Sequence, residues 1–122
     1  MQVLDESFGL YLWPAATLLA RYVWANRDAF KGRCVVELGA GVGLPGLVAA
    51  AVGGDVTLTD RAAHGHVLEN CRAACQHNKV QAKVVRHTPT HMHTLAYMHT
   101  CTSPHGAGGI PSPPPTCAEL LH

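Results

Sequence analysis

A glycine-rich loop between an apolar strand and a helix is the feature that most constrains how this chain folds. The sequence VVELGAGVGLPG occupies residues 35–46. Its apolar start predicts a buried parallel strand, and Pro45 suits the first turn of a helix. Gly39, Gly41 and Gly43 permit a tight turn and let a ligand lie against the backbone, because glycine has no Cβ. The sequence therefore predicts a strand, a ligand-binding turn and a helix in succession.

Acidic residues at the ends of two predicted strands indicate which ligand the loop binds. Asp60 ends the second strand, 21 residues after Gly39, which is a common distance for presenting a carboxylate to a ribose. Glu37 ends the first strand and suits a positively charged ligand better than a pyrophosphate. The dinucleotide pattern G-x-G-x-x-G fails, because Leu44 stands where its last glycine would be. S-adenosylmethionine carries positive charge and no phosphate, so it fits these features.

Three segments carry a resemblance to a known family. ELGAGVG at residues 37–43 resembles motif I of the seven-strand S-adenosylmethionine-dependent methyltransferases. GLYLWPAA at residues 9–16 and GLPG at residues 43–46 are similar to the family-16 methyltransferases, which are mostly protein-lysine methyltransferases. The resemblance covers roughly residues 8–86. It implies a Rossmann-like methyltransferase fold, S-adenosylmethionine as the cofactor, and a protein substrate methylated on a lysine or arginine nitrogen.

The resemblance and the loop pattern together predict seven cofactor-binding residues and neither a catalytic residue nor a metal site. They are Trp13, Glu37, Gly39, Ala40, Gly41, Gly43 and Asp60. Simpler structural roles stay open for these residues. The glycines suit a plain strand-to-helix turn, Asp60 suits a helix cap or a solvated loop, and Glu37 suits a cap on the next helix. Trp13, beside a helix start, suits the hydrophobic core.

Alternating helices and strands predict an α/β fold with a parallel sheet. We expect helices over residues 14–26, 45–52 and 67–78, and strands over residues 34–38, 56–59 and 82–85. Two helices show apolar stripes. The first stripe consists of Leu18, Leu19, Tyr22 and Val23, and the second of Val67, Leu68, Cys71, Ala74 and Cys75.

Residues 87–122 have a different composition. These 36 residues hold six of the nine histidines and six of the eight prolines, and Glu119 is their only charged residue apart from histidine. Such a segment cannot bury enough apolar surface to form a core. We therefore predict the N-terminal part of a methyltransferase domain over residues 1–86 and a low-complexity, disordered tail over residues 87–122.

The same division predicts a fold truncated after about three parallel strands, with one edge of the first strand bare. In the resembling family, the residues that face the acceptor follow the third strand. The resemblance therefore implies a truncated, inactive form of a methyltransferase. The alternatives are a non-catalytic product that binds a partner and a nucleotide-binding oxidoreductase fragment, which Leu44 disfavours.

Charge and cysteine content exclude several classes of protein. The formal net charge of +1 gives no basic surface for nucleic acid. The start of the chain lacks a basic secretory signal, and no apolar run is long enough to cross a bilayer. The cysteines form no C-x-x-C pair, so we predict reduced core thiols in a cytosolic or nuclear protein; they are residues 34, 71, 75, 101 and 117. Nothing in the sequence predicts an oligomeric state.

Overall fold

The computed structural model describes residues 9–63, 65–87 and 97–101. Helices and strands alternate along most of this part of the chain. In chain order they are α1 (Pro14–Ala25), α2 (Arg27–Phe30), β1 (Cys34–Leu38), α3 (Leu44–Ala51), β2 (Asp55–Arg61), α4 (Gly65–Asn78), β3 (Ala82–His87) and β4 (Tyr97–Cys101). The predicted elements are all present, and the short helix α2 and the strand β4 were not expected.

The strands form one sheet in the order β3-β2-β1-β4. β1 pairs in parallel with β2, so that Val35 lies opposite Val56 and Glu37 opposite Leu58. β2 pairs in parallel with β3. The predicted α/β fold with three parallel strands is therefore confirmed, and it is consistent with a truncated Rossmann-like methyltransferase fold.

The second edge of β1 is covered, contrary to expectation. β4 pairs with it in antiparallel orientation, with Cys34 opposite Cys101 and Leu38 opposite Tyr97. The prediction of a bare edge is therefore wrong. The physical reason is that the unpaired N–H and C=O groups of a strand edge can hydrogen-bond to any extended segment that reaches them. The tail predicted to be disordered spans residues 87–122. Residue 87 and residues 97–101 of it belong to β3 and β4, and residues 88–96 and 102–122 lie outside the described residues.

The core lies between the sheet and the helices. α1 packs against α3, and α3 and α4 pack against the strands. The buried cluster consists of Val23, Phe30, Val35, Ala40, Ala49, Val56, Leu58, Cys71 and Cys75. The buried stripe predicted for α4 is confirmed at Val67, Leu68, Cys71 and Cys75. Among the described residues, no helix has the length and apolar character needed to cross a membrane.

The predicted stripe of α1 is wrong at two of its positions. Leu18 and Tyr22 are 71% and 58% exposed, whereas Ala16, Ala20 and Val23 are buried. Ala16 and Ala20 are one turn apart, and Val23 follows three residues later, so these smaller side chains form the face that packs. Small residues let α1 approach α3 closely. A pattern that ranks residues by hydrophobicity alone does not predict this.

The cysteine prediction holds at two described positions and fails at one. Cys71 and Cys75 are buried free thiols. Cys34, by contrast, takes part in a disulfide bond. The spacing of cysteines along the chain indicates only pairs that are close in sequence. The pairing of β1, which carries Cys34, with β4 was not predicted.

A buried carboxyl group ties β1 to α3. Glu37 is 1% exposed, and its Oε2 accepts a hydrogen bond from the Gly46 N–H at 2.8 Å. This N–H belongs to the first turn of α3 and has no partner within the helix. A Cβ at residue 46 would collide with the Leu58 side chain and approach the Glu37 carboxylate to 2.5 Å. Glu37 therefore caps α3, which is one of the two roles that the sequence left open.

Burial decides the ionisation of this cap. It raises the pKa of Glu37 from 4.5 to about 8, although the Gly46 N–H acts in the opposite direction, and the nearby Asp60 adds to the rise. Because the folded-state pKa lies above the unfolded one, the folded chain holds this proton more tightly. The resulting stabilisation is complete below about pH 4.5 and is lost as the pH rises towards about 8.

We therefore predict that the melting temperature of the chain falls between about pH 5 and pH 8. Glu37→Gln should flatten this fall, because the amide oxygen still accepts the Gly46 N–H and cannot ionise. Melting curves followed by circular dichroism across this range provide the measurement. Glu69→Gln, at an exposed position of α4, is the control. Equal slopes for the wild-type and Glu37→Gln chains would contradict the prediction.

Two threonines on the same face of β2 give a second, paired prediction. Thr57 is 1% exposed, and its hydroxyl has no hydrogen-bond partner among the described residues. The Thr59 hydroxyl instead donates to the Glu37 carbonyl at 2.9 Å. Thr57→Val should leave stability unchanged or raise it, whereas Thr59→Val should lower it by about 1 kcal/mol. Urea unfolding measures both changes, and the opposite ranking would refute the assignment.

Candidate functional site

The glycine-rich loop joins the end of β1 to the start of α3 with a left-handed backbone. The φ angles of Gly39, Gly41 and Gly43 are +64°, +53° and +73°, a region that L-residues with a side chain rarely adopt. The Ala40 N–H donates to the Thr59 carbonyl at 2.9 Å, and the Gly43 N–H donates to the Ala40 carbonyl at 2.7 Å. The predicted tight turn is therefore present, and β2 holds it in place.

Asp60 lies against this loop, near the end of β2. Its carboxylate accepts the Gly41 N–H at 2.8 Å and the N–H of Arg61 at 2.7 Å. The side chain is only 6% exposed, so the alternative of a solvated loop acid is wrong. The contact with Gly41 brings the carboxylate directly against the glycine-rich loop.

The two acidic residues have different environments. Glu37 points at the first turn of α3 and, with its pKa raised to about 8 by burial, is mostly protonated at neutral pH. Asp60 instead bonds the loop itself. Asp60 is therefore the acid that contacts the glycine-rich loop. Contact of either acid with a cofactor stays a prediction.

The segment before α1 crosses the loop at a pair of glycines. The carbonyl oxygen of Gly9 lies 3.1 Å from the position that a Cβ on Gly41 would occupy. A Cβ on Gly9 would in turn collide with the Val67 side chain of α4. The start of the segment at residues 9–16 thus lies against the backbone of the glycine-rich loop and the Val67 side chain of α4.

Trp13 lies at the end of this segment and directly precedes α1. Its ring packs edge-to-face on Tyr11, with 5.1 Å between the ring centroids. It is 50% exposed, so the alternative of a core tryptophan is wrong. A cofactor-lining role for Trp13 stays a prediction.

One contact of the loop was missed at the sequence level. The Cys71 thiol of α4 donates a hydrogen bond to the Gly41 carbonyl at 3.1 Å. The α4 stripe placed Cys71 on the buried face, but the sequence gives no sign that this face of α4 reaches the loop. Burial raises the pKa of Cys71 to about 12, and the nearby Glu37 and Asp60 carboxyl groups contribute. The thiol therefore keeps its proton and remains a donor at neutral pH.

Comparison with known proteins shows that the sequence is similar to those of methyltransferases. A histone-arginine methyltransferase of Mus musculus, METTL23, is 45% identical over 92 residues, which cover 75% of this chain and 36% of that protein. Its Homo sapiens counterpart is 45% identical over 71 residues, covering 58% and 37%. The protein N-lysine methyltransferase METTL21A of Danio rerio is 48% identical over 50 residues, covering 41% and 23%.

These similarities are confined to one part of each relative. The chain matches well under half the length of these curated relatives. The family model described as lysine methyltransferase matches residues 1–100, a stretch that includes the glycine-rich loop, Asp60, the three parallel strands and all of β4 except its last residue. On this match the chain belongs to the lysine methyltransferase family.

Proposed function

We propose that the described residues form the S-adenosylmethionine-binding part of a protein methyltransferase. The observation that carries the proposal is the contact between the Asp60 carboxylate and the Gly41 N–H. This contact puts a buried acceptor directly beside a glycine-rich turn. A nucleoside lying on the loop would then have its ribose hydroxyls within reach of Asp60.

The residues present fit this cofactor. S-adenosylmethionine supplies a methyl group already activated by a sulfonium. Gly39, Gly41 and Gly43 offer bare backbone for close approach, and Ala40 fixes the turn through its hydrogen bond to β2. Asp60 would accept hydrogen bonds from the ribose, and the exposed ring of Trp13 would line the bound cofactor. The turn carries no lysine or arginine for a pyrophosphate, consistent with a ligand that lacks phosphate.

The substrate that we propose is a nitrogen atom on a lysine or arginine side chain of another protein. Relatives named for protein-lysine and for histone-arginine methylation support this class of acceptor. Transfer requires a neutral amine aligned with the methyl–sulfur bond. We assign none of the described residues to that alignment.

We also propose that the protein acts in the cytosol or nucleus, which imaging of a tagged chain would test.

Removing the Asp60 carboxylate should weaken cofactor binding. A hydrogen bond to a charged group contributes about 1.5–3 kcal/mol, so Asp60→Ala should raise the Kd for S-adenosylmethionine about 10- to 150-fold. Isothermal titration calorimetry measures this change. Asp55→Ala is the matched control, because Asp55 is exposed and begins the same strand at the end away from the loop. An unchanged Kd in Asp60→Ala would remove the ribose assignment.

The choice of ligand has its own test. We expect S-adenosylmethionine to raise the melting temperature of the chain in a thermal-shift assay, because a ligand that binds only the folded state stabilises it. NAD should leave it unchanged. Stabilisation by NAD alone would favour the oxidoreductase alternative over methyl transfer.

We further predict that a polypeptide of these 122 residues binds cofactor without transferring methyl groups. A fusion of residues 1–85 to the C-terminal half of a family relative should restore transfer, because that half carries the acceptor-facing residues in the resembling enzymes. Labelled S-adenosylmethionine and cell extract provide the assay, and the fusion bearing Asp60→Ala is the control. Turnover by the unfused polypeptide would overturn this prediction, and a folded but inactive fusion would count against the proposed activity.

A further inference from the structure

Gly41 is held from two different elements of the fold. Its N–H donates to the Asp60 carboxylate of β2 at 2.8 Å, and its carbonyl accepts the Cys71 thiol of α4 at 3.1 Å. The two bonds fix the peptide groups on either side of a residue whose φ is +53°. Both torsions of Gly41 are therefore constrained at once.

We propose that Cys71 is a positioning residue for the cofactor: its thiol holds Gly41, and through Gly41 the whole glycine-rich loop, in the shape that binds S-adenosylmethionine. The identity of the ligand in this inference rests on the proposed function. The role of Cys71 in holding the loop rests on the two hydrogen bonds to Gly41. Asp60 has two tasks in this arrangement, because it orients the loop and faces the ribose. Cys71 has only the first task, since its side chain is fully buried.

The surroundings of Cys71 favour a specific contact over simple space filling. A Cβ at residue 43 would lie 3.4 Å from the Cys71 sulfur, so the sulfur borders the loop at a second point. Burial keeps the thiol protonated, so that the donor persists at neutral pH. Cys75, one turn further along α4, is also buried in the core cluster, and it instead borders the cleft between α4 and β3.

This difference between the two cysteines supplies a matched control. Cys71→Ala removes the donor, Cys71→Ser keeps a donor at the same place, and Cys75→Ala removes a buried sulfur on the same helix face. We expect Cys71→Ala to raise the Kd for S-adenosylmethionine about 3- to 10-fold, and Cys71→Ser to restore it to within about twofold of the wild type. Cys75→Ala should lower the melting temperature and leave the Kd unchanged.

A measurement without ligand separates this inference from the proposed function. Amide hydrogen exchange over residues 39–43 of the ligand-free chain should be faster in Cys71→Ala than in the wild type, Cys71→Ser or Cys75→Ala. If the wild type fails to bind S-adenosylmethionine, the proposed function falls, and the exchange rates still decide whether Cys71 holds the loop.

Two results would overturn the inference. One is an unchanged Kd and unchanged loop exchange in Cys71→Ala. The other is a Cys71→Ser chain as impaired as Cys71→Ala, because this would assign the effect to the packing of sulfur. If Cys71→Ala does not fold, Cys71→Val takes its place as the variant without a donor and is judged by the same two readouts.

Discussion

The left-handed backbone of the loop after β1 is the constraint on which the rest of the site depends. Three glycines with positive φ turn the chain from β1 into α3 within a few residues, and a side chain there would cost roughly 1–2 kcal/mol per residue. The turn fixes where α3 starts and how the backbone groups of the loop are oriented. Its neighbours then hold it: Thr59 and Asp60 from β2, and Cys71 from α4.

Two buried acids beside the loop illustrate how environment assigns roles to chemically similar groups. Glu37 caps a helix that begins in the interior, and burial raises its pKa to about 8. A mostly neutral cap satisfies a helix N–H without a full charge on the buried Glu37 side chain. The cost of burying a charged group is thereby avoided at one position, and Asp60 is left as the acid that meets the loop.

The position of β1 inside the sheet has consequences for function. β1 lies between β2 and β4 and is paired on both edges. The glycine-rich loop that follows β1 therefore begins at an interior strand of the sheet. In open α/β sheets, ligands bind at the carboxyl ends of such strands. β4 covers one side of β1 in antiparallel orientation and thereby protects an edge that would otherwise invite pairing with other chains.

The sequence by itself determined the local features: the strands β1, β2 and β3, the buried face of α4 and the glycine-rich turn. Each of these depends on spacing within a few residues or on the alternation of helix and strand. Only the tertiary structure decided the role of Glu37, the exposed side of α1, the pairing of β4 and the Cys71 contact with Gly41. These features depend on contacts between segments that are distant in the chain, and the periodicity of a short stretch of sequence carries no information about such contacts.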